Sequence, residues 1–106
     1  MAFKVIWSEF AENQLDEIFN YFNLNISPQI AKKLVSNILH HTQKLERTPR
    51  MGQKESLLNN RIKSYRYLIH TNYKIIYSVL EKDKKVHIHD VFDTRQNPVK
   101  LERSIS

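Results

Sequence analysis

Apolar residues recur along this chain first at helical spacing and then at strand spacing. Residues 3–7, "FKVIW", form a short β-rich run, and Ser8 then offers an N-cap side chain. Ala11, Leu15, Ile18, Phe19 and Phe22 follow as one stripe of an α-helix, which "NLNIS" breaks. Ser27-Pro28 starts a second helix with a serine cap and a proline at the first helical position, where its missing N–H costs nothing. Ala31, Leu34, Ile38, Thr42 and Leu45 mark its buried stripe, widened by Val35 and Leu39, and Thr48-Pro49 stops it near Arg47. From residue 64 the period becomes two. "SYRYLIH" and "YKIIYSVL", parted by Thr71-Asn72, predict a tight antiparallel hairpin. After the polar turn "EKDKK", "VHIHDVF" predicts a third strand with Val86 and Ile88 on one face and His87 and His89 on the other. Its alternation slips at Asp90-Val91, as at a bulge or in a strand buried on both faces.

The order is β-α-α-β-β-β, which predicts an α+β fold. The two amphipathic helices form a hairpin on one face of a small antiparallel sheet, and the first strand joins an edge beside the last strands. Residues 48–63 hold no period and read as a long loop, pinned to the core by Leu57 and Leu58. Residues 98–106 fit a short strand, a helix or a frayed end.

The 106 residues suit one domain spanning 1–106. With no cysteine, neither a disulfide framework nor a thiolate metal site is available. The single glycine, Gly52, excludes Gly-rich phosphate loops and dinucleotide fingerprints, so no cofactor is expected. No apolar run reaches membrane-spanning length and "MAFKVIWSEF" does not read as a signal peptide, so the expectation is a cytoplasmic chain with no membrane partner.

The net charge of +6 favours anionic partners. Its distribution says more. Residues 1–26 carry Lys4 alone against Glu9, Glu12, Asp16 and Glu17. Residues 44–66 carry Lys44, Arg47, Arg50, Lys54, Arg61, Lys63 and Arg66 against only Glu46 and Glu55. That concentration points to a functional basic loop beside the open sheet face.

The aromatic-ended first strand, the paired helices, "LERTPRMG", the hairpin "RYLIHTNYKIIY" and the terminal "VFDTRQNP" together resemble the RelE/ParE superfamily of small bacterial toxins from type II toxin–antitoxin (plasmid stabilisation) systems. The resemblance covers nearly the whole chain. It implies a cognate acidic antitoxin, with assembly into a heterotetramer open, and one of two targets. RelE-like members are ribonucleases that cut mRNA on the ribosome. ParE-like members bind DNA gyrase and trap its cleaved-DNA intermediate. On the RelE pattern, Lys74 takes the basic position of the second hairpin strand and Arg95 that of the arginine after the last strand. The opening-strand lysine positions fall on Tyr65 and Tyr67, with only Arg66 between them. No tyrosine follows Arg95. The RelE set is therefore incomplete, which favours a ParE-like toxin that acts by binding. If the chain is an enzyme, the resemblance makes it an endoribonuclease. A non-toxic interaction module of the same fold is the third reading.

Candidate chemistry then rests on Arg95, Lys74, His87 and His89, and candidate target or antitoxin contact on Arg61, Lys63, Arg66, Lys74 and Arg95. RNA cleavage needs a base, a cation for the phosphorane-like transition state and an acid. His87 and His89 share a strand face and titrate near neutrality, so they are either proton-transfer groups or ordinary surface histidines. A metal site there lacks a completing cluster, and none is expected. Adjacent on a helix, His40 and His41 read as solvated. Arginine's planar fork suits phosphate or carboxylate, and the competing role for Arg95 is an ion pair with Asp93 or Asp90. Tyr65, Tyr67, Tyr73 and Tyr77 are either core rings or an aromatic docking surface.

Overall fold

Both helices begin where a serine side chain can accept an orphan backbone N–H. A computed structural model, which describes residues 2–55 and 64–95, shows both caps made. Ser8 accepts from the Ala11 N–H at 3.0 Å and opens α1 (Glu9–Asn25). Ser27 accepts from the Ile30 N–H at 3.0 Å and opens α2 (Pro28–Gln43). Each cap contributes about 1 kcal/mol. α2 tightens into a 3₁₀ turn at Lys44–Glu46, and Leu45 in that turn is fully buried.

The strands are β1 (Lys4–Trp7), β2 (Gln53–Lys54), β3 (Tyr65–His70), β4 (Tyr73–Leu80) and β5 (Lys85–Asp93). They form one five-stranded sheet in the order β1-β5-β4-β3-β2. β1 does take the edge beside the last strand, but it runs parallel to β5, with Val5 opposite Val86 and Trp7 opposite Ile88. The sheet is therefore mostly, not wholly, antiparallel. Strand direction at this edge is set by where the helical hairpin returns the chain, and periodicity carries no record of that. β2 is also additional to expectation. At two residues it is too short to show a period, and it pairs antiparallel to β3 inside the segment expected to be loop. Leu57 and Leu58 lie outside the described residues.

The helices cover one sheet face. Ala11, Leu15, Ile38 and Leu45 meet Leu68, Tyr73, Ile75, Tyr77, Val86, Ile88 and Val91, with Trp7 and Phe22 packed at the margin. On the other face Tyr65, Ile76 and Phe92 form a smaller cluster flanked by Tyr67. The four hairpin tyrosines thus divide between the faces, because the β3–β4 register sets Tyr65 opposite Ser78 and Tyr67 opposite Ile76. The slip in β5 is a bulge. Ile76 pairs with Asp90 and Tyr77 with Ile88, which leaves His89 as the extra residue and lets Ile88 and Val91 both face the helices.

His41 departs from its solvated reading. It is half-buried, with its ring centroid 6.0 Å from that of His70, whereas His40 is exposed. Burial first, then Lys44, His70 and His40, lowers the His41 pKa and so favours the neutral ring. Among the described residues no helix is long and apolar enough to cross a membrane.

Gly52 ties the segment after α2 to the sheet. Its N–H donates to the hydroxyl of the fully buried Tyr77 at 2.9 Å. A Cβ at this position would lie 2.5 Å from the Tyr67 carbonyl oxygen and 2.6 Å from the Tyr77 hydroxyl. Backbone cannot yield to such an overlap, so Gly52→Ala is expected to cost about 1–3 kcal/mol. Tyr77→Phe, which strips the buried N–H of its acceptor, should cost about 1–3 kcal/mol as well. Thermal unfolding should register each as a fall of about 4–8 °C per kcal/mol.

Candidate functional site

The sequence places its candidate cations on the hairpin and just after β5, and the register decides which way each one faces. Lys74 stands on β4 opposite Phe92 and Ile69, on the face away from the helices. Its Nζ lies 2.9 Å from Glu55 Oε2, a carboxylate only 2% exposed, and 4.3 Å from the Tyr67 ring centroid. Glu55 is held there by its own N–H, which donates to the Tyr65 carbonyl at 2.9 Å. Arg66 sits opposite Tyr77, on the helix-side register. Its Nη1 donates to the Gly52 carbonyl at 2.8 Å and reaches the Arg50 carbonyl at 3.4 Å.

Arg95 belongs to a third place. Its Nε and Nη2 form a fork onto Asp93 at 3.1 and 2.8 Å, and its backbone N–H donates to the same carboxylate at 2.9 Å. Asn72 Nδ2 adds a donor at 3.1 Å. Those hydrogen bonds, chiefly from the Arg95 side chain, hold the Asp93 pKa down to about 2 from an ordinary 3.8. The pair lines a cleft of about 310 Å³ between α1 and the end of the sheet, floored by Ile18, Phe22 and Tyr73 and edged by Glu17. The Arg95 side chain remains 71% exposed.

Arg66, Lys74 and Arg95, candidate contacts together in the sequence, therefore do not share one sheet face. Arg66 and Lys74 point to opposite faces because their cross-strand partners, Tyr77 and Ile69, do. The competing role for Arg95, an ion pair, is present with Asp93. Arg61 and Lys63 lie outside the described residues.

The histidines are brought together. His89 Nε2 is 2.7 Å from the Ser78 hydroxyl, its ring meets Tyr65 edge-on at 5.2 Å, and the His87 ring is 6.3 Å away. These groups sit on the face away from the helices, beside the fully buried Asp90. They can exchange protons, but the Lys74 cation of the same face is engaged by Glu55. Among the described residues no group of three or more His, Asp or Glu side chains is arranged for a metal ion. Sequence reasoning passed over Glu55 and Ser78. A signal for the first existed, since Glu55 is the only carboxylate between Glu46 and Glu81.

A family model described as the ParE toxin of the type II toxin–antitoxin system parDE matches residues 5–98. The chain belongs to the ParE toxin family. Solved structures carry the same fold. The chromosomal ParDE system from P. aeruginosa is similar to this ParE-family chain with a TM-score of 0.71 and 19% identity, over 87% of this chain and 96% of that one. The RelBE2 toxin–antitoxin complex from Mycobacterium tuberculosis is similar with a TM-score of 0.60 and 16% identity, over 88% and 92%. A search of curated protein sequences gives no significant match. The family match and the shared fold agree with the superfamily resemblance and with its ParE-like branch.

The Asp93 environment of this ParE-family toxin has a pH signature. A depressed carboxylate pKa stabilises the fold above the unfolded value, 3.8, and that contribution is lost as pH falls through about 2. Thermal unfolding of the wild type should thus fall steeply over this interval. Asp93→Asn should show a flatter acid limb and a lower melting temperature above it.

Proposed function

We propose that this ParE-family toxin acts by binding DNA gyrase and holding its cleaved-DNA intermediate, and that a cognate acidic antitoxin neutralises it in the bacterial cytoplasm. The observation that supports binding over catalysis is the dispersal of the basic set. Lys74 is neutralised by Glu55, Arg95 is forked onto Asp93, and Arg66 is spent on backbone carbonyls at the other face. A phosphorane-like transition state needs a cation preorganised beside the proton-transfer groups. The described residues supply candidate groups of that kind, His87 and His89, while Lys74 and Arg95 are each paired with a carboxylate elsewhere. The net charge of +6 supports an acidic antitoxin, through charge complementarity and steering. The similar solved structures are themselves named as toxin–antitoxin systems.

The histidine pair with Tyr65 and Ser78 favours the second reading, a RelE-like ribosome-dependent mRNA endonuclease. Induced expression separates the two. The gyrase reading expects filamentation and a DNA-damage response with mRNA intact, and inhibition of supercoiling by purified gyrase. Translation arrest with mRNA cut at codons would replace it by the endonuclease reading, and no growth effect would leave an interaction module. Arg95→Ala should abolish gyrase inhibition while circular dichroism and the melting transition still report a folded domain.

A further inference from the structure

The end of the sheet opposite Arg95 collects lysines against an energetic cost. Lys4 on β1 and Lys85 on β5 are register partners in the parallel pair. Neighbouring strands lie about 4.8 Å apart, and like charges directly opposite one another destabilise a sheet. The β4–β5 turn adds Lys82 and Lys84, both exposed, and the Lys84 carbonyl accepts from the Lys4 N–H at 2.9 Å. Lys84 also holds a left-handed backbone with φ 53°, a conformation unfavourable for a side-chain-bearing residue. Among the described residues acidic relief is slight. Glu81 is taken by Arg50, leaving Asp83 in the turn and Glu46 beyond β1. The strand pairing at Lys4 and Lys85 is made by backbone and does not itself call for lysine.

We infer that this lysine end, Lys4 with Lys82, Lys84 and Lys85, is a contact surface for the phosphate backbone of duplex DNA. Lysine is a compact point charge suited to sequence-independent phosphate contact. The surroundings favour DNA over other polyanions. Among the described residues the exposed large apolar side chains are Tyr21, Leu24, Ile26, Ile30, Leu39, Met51 and Ile69, and none lies on β1, on the turn or at the start of β5. Stable membrane anchoring would call for apolar side chains beside the lysines, and an acidic peptide for apolar anchors. The Phe3 ring lies 5.1 Å from the Lys84 ammonium. The inference rests on the gyrase reading only for where the toxin meets DNA.

The test uses the intact toxin and a fluorescently labelled DNA duplex of arbitrary sequence, titrated by anisotropy over a range of salt. Four phosphate contacts predict that log K falls with log salt at a slope of about −3 to −4. Lys4→Gln and Lys85→Gln should each reduce that slope by about 1. Each should also raise the melting temperature, since each removes half of a repelling pair. Loss of binding with gain of stability separates a functional lysine from a merely solvated one. Lys32→Gln with Lys33→Gln, on α2, should leave the slope within error. The inference is overturned if the duplex is not bound at low salt, if the α2 control lowers the slope equally, or if anionic vesicles are bound and DNA is not. DNA binding without gyrase inhibition would sink the gyrase reading and leave this one standing. Gyrase inhibition that survives Lys4→Gln/Lys85→Gln, with no DNA bound by the toxin alone, would do the reverse.

Discussion

The placement of one buried hydroxyl organises much of this molecule. Tyr77 lies at the middle of β4 with its ring in the core, and a buried phenol must find a partner. It finds the Gly52 N–H, at a position where the backbone can approach only because no Cβ is present. Arg66 then grips the Gly52 carbonyl from the neighbouring strand. Once Gly52 is fixed, Gln53 and Lys54 fall into register with Tyr67 and Arg66 as the outermost strand. Glu55 follows directly and is delivered, buried, to Lys74. A cation that sequence comparison alone would offer to a substrate is thereby tied up as a consequence of core packing on the opposite face.

This dependence explains what was legible in the sequence and what was not. The helices were legible because caps and apolar stripes are local. Ser8, Ser27-Pro28 and the stripes from Ala11 to Leu45 mark α1 and α2 closely. The hairpin was legible because Thr71-Asn72 separates two period-two runs, and even the slip at Asp90-Val91 left its trace. The direction of β1 and the existence of β2 were not legible, since both depend on partners distant in sequence. The candidate site was legible as a set of residues rather than as an arrangement. The alternation that turns Arg66 away from Tyr65 and Tyr67 is visible in the chain, but the register that sets Lys74 on the face of those tyrosines is not.

Charge is sorted across the fold as well as along the chain. The first turn of α1 carries Glu9 and Glu12, where carboxylates favour the helix dipole, and Glu17 edges the cleft that Arg95 shares. The lysines gather at the other end of the sheet. A toxin that works by binding can use such separation, since a partner approaching one end meets a field unlike that at the other. The fork of exposed Arg95 onto Asp93 lies at the sheet end near α1, where polar and apolar surfaces adjoin.

The parallel pairing of β1 with β5 bears on how the chain acquires this structure. β3, β4 and β5 follow one another and can zip together through near neighbours, whereas β1 waits for a partner some eighty residues downstream, as the Ser8 to His89 contact shows with its separation of 81. Loop closure over that distance is an entropic cost met only when the late strand is in place. During synthesis α1 and α2 emerge long before the sheet that covers their apolar face. Their stripes stay uncovered until β5 has left the ribosome, so a chain truncated before Asp93 lacks the strand that joins its first element to its last. The toxin is thus a protein whose fold, and any activity that depends on it, is completed late and as a whole.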